Sequence, residues 1–155
     1  MRNLNAAAAA LSLVLVTIVA ALPWGLSPEL RFVIPQLPAL AIYYWMQRDE
    51  SALSIWIVLL CGLSVDVVSG GPLGYWSLVL LVGYAVAGIS WSLPRASRLG
   101  RWSHFLVCLF LLVAFEWALA SLYYLEPASL SPFMRAAAVA ALIYPILAAL
   151  LQLFA

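Results

Sequence analysis

Three ionisable side chains lie inside stretches of sequence that are otherwise apolar, and they are the first candidates for chemistry. Asp66 interrupts the segment at residues 62–76, GLSVDVVSGGPLGYW, and His104 and Glu116 lie in another apolar run further along the chain. Insertion scales put the cost of a charged residue at the centre of a membrane span at about 2.5–3.5 kcal/mol, so such residues usually face protein or a water-filled cavity. Each of the three therefore needs a structural partner or a function.

Two kinds of intramembrane protease can be tested against these residues. The letters GLS at residues 62–64 resemble the start of a G-x-S nucleophile signature, and such a serine would need a histidine as its base. We predict that Ser64 lies in the outer half of the membrane and that His104, the only histidine, lies at the inner edge, so the two do not meet. A two-aspartate protease would lack its second aspartate, because Asp49 falls in an inner loop. We therefore predict no catalytic residues and no enzyme activity.

The remaining metal-ligand residue types show no useful spacing. Cys61 and Cys108 both lie inside apolar segments, and we interpret them as small buried side chains that do not form a disulfide. With a single histidine in the chain, no pattern typical of a metal site is present. The sequence predicts neither a bound metal nor a cofactor.

The composition indicates that the solvent of this chain is lipid. Of the 155 residues, 67% are hydrophobic and 8% are charged, whereas an average soluble domain has about a quarter charged residues. A small fold buries only about 70% of the surface that its unfolded chain exposes, so it could not hide this much apolar surface from water. The seven basic residues, all arginine, form no dense block, and nucleic-acid binding is not expected.

Charged and turn residues divide the chain into six apolar pieces. A helix needs roughly 20 apolar residues to cross a bilayer. The predicted spans are residues 4–24, 32–47, 52–68, 73–93, 102–124 and 133–155. We therefore predict an all-α polytopic membrane protein with six transmembrane helices in a single integral membrane domain.

Two of these pieces allow more than one interpretation. The first resembles a signal peptide, because Arg2 precedes an apolar stretch, but its length favours a span that is retained. The second is short and carries Pro35 and Pro38. It is either kinked or broken and packed against protein that satisfies the freed carbonyls, or a tilted helix with Pro35 in its first turn.

The distribution of arginines predicts that both termini lie in the cytoplasm. With this topology the inner segments hold Arg2, Arg48, Arg95, Arg98 and Arg101, and the outer loops hold Arg31 and Arg135. This ratio of five to two follows the positive-inside rule. The tryptophans agree with an aromatic belt, with Trp24 and Trp76 at outer ends and Trp45, Trp91 and Trp102 at inner ends.

Asp66 is predicted near the outer end of the third span. Gly62 and Gly70 lie one turn away on either side, and small residues at such positions let another backbone come close. A carboxylate at a helix C-terminus faces the negative end of the helix dipole, so it needs a compensating donor. A helix start binds anions, and the N–H groups of Gly74 and Tyr75 at the start of the fourth span are one candidate.

Other roles for Asp66 stay open at this point. Arg31 and Arg135, both predicted on the outer side, are alternative partners. A ligand or proton site and a contact with a partner protein compete with the structural cap. The glycines at residues 70–71 suit a helix C-cap with positive φ, and Pro72 suits the first turn of the next helix, so the turn itself favours the cap.

Glu116 is the more costly carboxyl, because it lies near the middle of the fifth span. It must point into the bundle, point into an interface or carry a proton, and structural and functional interpretations are equally open. His104 lies close to Arg101 near the inner end of the same span, which favours a position at the membrane interface over a catalytic role.

The order of these features carries a family resemblance. A proline-containing second span with the letters LPALAIYYWMQRDE is followed by a helix that ends CGLSVDVVSGGPLGYWSLVLLVGYAVAG. The pattern G-L-x-x-D-x-x-x-G-x-P-L-G falls on Gly62, Leu63, Asp66, Gly70, Pro72, Leu73 and Gly74. In this stretch, roughly residues 31–90, the chain resembles the rod shape-determining protein MreD family. The first, fifth and sixth spans match the family only in length and hydropathy.

The resemblance implies a non-enzymatic scaffold of the cell-elongation machinery in the bacterial inner membrane, concerned with rod shape and peptidoglycan synthesis. Members of the family bind MreC, a protein with a single span, and act alongside RodA, a class B penicillin-binding protein and, indirectly, the MreB filament. The family fold is similar to the substrate-binding subunits of energy-coupling-factor transporters, which implies a cavity for membrane lipid or a small molecule. Pro35, Pro38, Tyr43 and Glu116 are the candidates for a partner contact or such a cavity.

Two functions are therefore kept. The first is the scaffold that binds MreC. The alternative is a substrate-binding membrane subunit of a vitamin transporter, which a broken second span and the carboxyls of Asp66 and Glu116 inside the bundle would favour.

Overall fold

The computed structural model describes residues 2–22, 25, 34–49, 51–89 and 98–154, and every regular element in these ranges is helical. The α-helices are α1 (Arg2–Ala21), α2 (Leu37–Arg48), α3 (Ile55–Ser69), α4 (Tyr75–Gly88), α5 (Arg98–Tyr124) and α6 (Leu130–Leu151). Short 3₁₀ helices, Ile34–Gln36 and Gln152–Phe154, precede α2 and follow α6. The predicted all-α class is confirmed for this part of the chain, and the predicted loops that carry Arg31 and Arg95 lie outside it.

Two of the helices are long and apolar enough to cross a membrane on those criteria. Among the described residues they are Gly100–Tyr124 and Leu130–Phe154. Three shorter apolar helices are Ala6–Ala21, Ile55–Ser69 and Tyr75–Gly88. The described part of the chain contains as many α-helices as there are predicted spans, while the six-span topology and its orientation stay predictions.

Helix α2 forms the centre of the bundle. It packs against α1, α4 and α6, and its residues from Pro38 to Met46 are all buried. Its 12 residues extend over about 18 Å, much less than the roughly 30 Å of a bilayer core. Such a short helix is stable at the centre because the surrounding helices cover it on all sides.

The two prolines of this segment lie at the start of the helix. Pro35 belongs to the 3₁₀ turn, and Pro38 follows the first residue of α2. A proline lacks an N–H group, but this costs little here because N–H groups in the first turn of a helix have no acceptor within the helix. The helix is unbroken from Leu37 to Arg48, so a break in its interior is wrong, while the close packing against protein expected for this segment is present.

Helices α3 and α4 form a tight hairpin. Gly70 ends α3 with a φ of 63°, and Gly74 precedes α4 with a φ of 95°, both in the left-handed region that glycine adopts at little cost. Because α4 begins at Tyr75, Pro72 precedes the helix instead of lying in its first turn as predicted. In the middle of the hairpin, a Cβ added to Gly62 would lie 2.9 Å from the Ser77 nitrogen and closer still to the Ser77 Cα.

Buried polar side chains join α2 to its neighbours. The Trp45 Nε1–H donates to the Ser12 hydroxyl of α1 at 2.8 Å, and the Gln47 Nε2 donates to the Ala87 carbonyl of α4 at 3.1 Å. Trp45 has no exposed surface, so its predicted place in an aromatic belt is wrong: an indole that finds an internal acceptor can be buried completely. Trp24 and Trp91 lie outside the described residues.

The close approach at Gly62 predicts a large effect of one added methyl group. We expect Gly62→Ala to destabilise the protein by about 1–3 kcal/mol, the usual range for overpacking, because the α3 and α4 backbones must move apart. The measurement is the unfolding midpoint in detergent. Gly83→Ala is the matched control, since a Cβ there would lie 3.5 Å from Leu112 Cδ1, an ordinary contact. Equal midpoints for the two variants would contradict the expected helix contact.

Candidate functional site

The carboxylate of Asp66 binds the start of α4. Its Oδ2 accepts hydrogen bonds from the Gly74 N–H at 2.9 Å, the Ser77 N–H at 3.2 Å and the Ser77 hydroxyl at 2.7 Å. Its Oδ1 accepts from the Trp76 N–H at 2.7 Å. These amides are among those left without a partner in the first turn of a helix, and Asp66 supplies their acceptor from the neighbouring helix while being only 1% exposed.

The local sequence explains this arrangement. The turn at residues 70–74 reverses the chain, and the absence of a side chain at Gly62 lets Ser77 approach, so the first turn of α4 lies against the last turns of α3. The Tyr75 N–H, which we had expected to bind Asp66, donates to the Pro72 carbonyl at 3.1 Å instead. The donors are therefore Gly74, Trp76 and Ser77. Of the alternative partners, Arg135 is exposed on α6 and Arg31 lies outside the described residues.

A second polar pair lies under a cavity beside this hairpin. The Gln36 Nε2 donates to Glu116 Oε2 at 3.1 Å, and the two side chains, each 2% exposed, belong to the start of α2 and to α5. The cavity, of about 470 Å³, is lined by both residues, by the α3–α4 turn and by the starts of α4 and α6. The Tyr75 hydroxyl donates to the Glu116 carbonyl at 3.2 Å and holds α4 against α5 at this point.

A third polar group lies further along α2. The Tyr43 hydroxyl and His104 Nδ1 are 2.8 Å apart, and His104 has no exposed surface. The Tyr43 ring contacts Phe105 and Tyr144, which stack on each other with centroids 4.1 Å apart. A cavity of about 440 Å³ adjoins them. His104 is buried inside the bundle with the Tyr43 hydroxyl as its partner, and its expected place at the level of the membrane interface stays a prediction.

The structure brings only some of the predicted site residues together. Asp66 and the glycines at positions 62, 70 and 74 meet at the α3–α4 hairpin. Glu116 lines the cavity next to that hairpin, whereas Tyr43 lines different cavities. Pro35 and Pro38 flank Gln36 at the start of α2 without lining the Glu116 cavity themselves.

Sequence reasoning missed Gln36, the side chain that binds Glu116. A signal existed, because Gln36 is a polar residue between two prolines in an apolar segment. Its partner is 80 residues away in the chain, so no local pattern could pair the two.

The candidate nucleophile and base have separate environments. The Ser64 hydroxyl donates to the Leu60 carbonyl one turn back at 2.8 Å on an exposed face of α3. His104 lies in the buried cluster with Tyr43 and Cys108. Among the described residues no group of three or more His, Cys, Asp or Glu side chains could hold a metal ion.

These features define the class of the protein: a helical bundle with apolar outer faces, in which carboxyl, amide and hydroxyl groups are used to join helices. The family model described as rod shape-determining protein MreD matches residues 1–154, and the chain belongs to this family. No curated protein and no solved structure gave a match. Membership makes the chain a membrane protein with a role in rod-shape determination, and it extends the resemblance at residues 31–90 to nearly the whole length.

The geometry at Asp66 predicts the outcome of its removal. We expect Asp66→Ala to destabilise the protein by about 1–3 kcal/mol, since buried amides of α4 lose their acceptor. Asp66→Asn should also destabilise it, because an amide nitrogen would replace one of the two accepting oxygens. The measurement is unfolding in detergent, with Glu126→Ala in the exposed α5–α6 turn as the control for loss of one acidic group.

An unchanged unfolding midpoint for Asp66→Ala combined with loss of partner binding would contradict the cap and favour a contact role for this carboxylate.

Proposed function

We propose that the protein is a non-enzymatic scaffold of the cell-elongation machinery and that it binds the single transmembrane helix of MreC. The observation that carries this proposal is an apolar groove of about 700 Å³ between α1 and α3. The family places the chain in rod-shape determination, and a membrane protein of this kind needs a lateral surface for its partners.

Both sides of the groove have the spacing that packs against another helix. On α1 the lining includes Leu11, Val14 and Ile18, at intervals of three and four residues, and on α3 it includes Leu60 and Ser64. This spacing keeps side chains on one face of a helix, and its repetition is the basis of knobs-into-holes packing.

Small side chains form part of the lining. Ala10, Ala21, Thr17, Cys61 and Ser64 all contribute to it, and interfaces between transmembrane helices are enriched in small residues because they let backbones approach closely. From Ala10 to Leu22 the α1 side of the groove extends over about 18 Å, which accommodates more than three turns of a partner helix.

In the same proposal the protein lies in the bacterial inner membrane with six spans and both termini in the cytoplasm. The positive-inside distribution of arginines supports this orientation. RodA and a class B penicillin-binding protein belong to the same assembly, and the MreB filament joins it indirectly. Family membership is the support for these further partners.

The alternative, a substrate-binding subunit of a vitamin transporter, is supported by the cavity at Gln36 and Glu116. The family match favours the scaffold. Native mass spectrometry of the purified protein separates the two functions, since only the transporter subunit would carry a vitamin at stoichiometric level.

The scaffold proposal predicts that filling the groove abolishes partner binding. Leu60 is 63% exposed and lines the groove, so Leu60→Trp should reduce co-purification of MreC from detergent by about tenfold or more, the effect of roughly 1.4 kcal/mol. Leu142→Trp is the matched control, because Leu142 is 74% exposed on α6 and does not line the groove.

Full recovery of MreC with Leu60→Trp, in a preparation whose unfolding midpoint equals that of the wild type, would assign the contact to another face. Failure to recover MreC with the wild-type protein, under conditions that keep both proteins folded, would count against the partner itself.

A further inference from the structure

The polar floor of the cavity consists of the Gln36 and Glu116 side chains, and among the described residues each of them has one oxygen without a hydrogen bond. Gln36 Nε2 and Glu116 Oε2 bind each other at 3.1 Å, but the remaining oxygens, Gln36 Oε1 and Glu116 Oε1, have no hydrogen-bond partner in the part of the chain that the structure describes. Native structures rarely leave buried polar atoms unpaired, because the desolvation of each is unfavourable. Both side chains are 98% buried and line the cavity, so a ligand held in the cavity is the partner that would complete their hydrogen bonds.

The chemistry of that ligand follows from the floor and the walls. The two oxygen acceptors bind a group with at least two N–H or O–H donors. One of the acceptors belongs to a carboxyl group, which a positive charge complements, and this favours the N–H donors of an ammonium group. The described lining contains no arginine, lysine or histidine that would compete with such a charge. Tyr75, Trp76, Tyr123 and Tyr124 contribute aromatic rings to the lining, and these bind both apolar groups and cations.

We propose that this cavity binds a primary ammonium group, with its donors on Gln36 Oε1 and Glu116 Oε1 and its apolar part against the aromatic walls. The volume of about 470 Å³ lies within the usual range of small-molecule sites, about 300–1,000 Å³. The ammonium group comes either from the headgroup of an ethanolamine lipid or from a free amine, because both present the same donors. This site is separate from the proposed MreC surface, since the cavity and the α1–α3 groove have no lining residue in common.

The test compares ligands of equal charge and chain length that differ in whether their headgroup carries N–H donors. The protein is placed in nanodiscs of phosphatidylcholine, and binding of n-hexylamine is measured against its N,N,N-trimethyl analogue, which keeps the charge and the chain but has no N–H. For the lipid source, bound lipid is counted by native mass spectrometry after incubation with equal amounts of phosphatidylethanolamine and phosphatidylcholine carrying the same acyl chains. Preference for the primary amine in either comparison supports the proposal, and the comparison that shows it identifies the source.

Variants connect the binding to the cavity. Glu116→Gln keeps the shape of the side chain and removes the carboxyl group, and it should weaken binding by about tenfold or more, the effect of losing a hydrogen bond to a charged group. Ser129→Trp fills the cavity from its exposed edge and should abolish binding even where Glu116→Gln does not fold. Ser131→Trp, exposed and outside the lining, is the matched control. Leu60→Trp, in the groove, should leave amine binding unchanged.

Equal binding of the primary and trimethyl ligands in both comparisons would overturn the proposal. Unchanged amine binding in Ser129→Trp would equally overturn it, because the ligand would then lie elsewhere. Failure to recover MreC with the wild-type protein, together with intact amine binding, would count against the scaffold function and leave this inference standing, because the groove and the cavity have no lining residue in common. The failure of one proposal is therefore distinguishable from the failure of the other.

Discussion

The hydrogen bonds between Asp66 and the start of α4 are the interaction on which the rest of the bundle depends. A helix that begins inside a membrane protein exposes N–H groups that lipid cannot satisfy, and one carboxylate accepts three of them together with the Ser77 hydroxyl. This fixes where α4 starts and how closely it lies on α3. Gly62 belongs to the same constraint, because the carboxylate reaches these donors only if the two backbones almost touch.

The hairpin determines the position of the other elements. Helix α4 packs against α2 and α5 as well as α3, so its placement encloses the short central helix and closes one side of the Glu116 cavity. The polar bonds of α2 and of the residue before it are made with different neighbours: Trp45 binds Ser12 of α1, Gln47 binds the Ala87 carbonyl of α4, and Gln36, just before α2, binds Glu116 of α5. A helix too short to cross the membrane is thereby anchored in three directions.

Local chemistry could be predicted from the sequence, and long-range pairing could not. The turn at residues 70–74 and the need of Asp66 for amide donors follow from residue types a few positions apart. Gln36 with Glu116 and Tyr43 with His104 are separated by 80 and 61 residues, and no spacing rule connects them. The error at Trp45 has a physical cause, because an amphipathic side chain fits the interface and a buried hydrogen bond equally well.

The groove and the cavity are both lined in part by the α3–α4 hairpin and have no lining residue in common. Helix α3 provides Leu60, Ser64 and Val68 to the groove, while the turn that follows it and the first residues of α4 line the cavity. Loosening the hairpin would therefore disturb both surfaces. For this reason, loss of partner binding in a variant at Asp66 or Gly62 would not show which surface contacts the partner. Only side chains that point outward from α1 and α3 can identify the partner surface, because changing them leaves the hydrogen bonds of the hairpin intact.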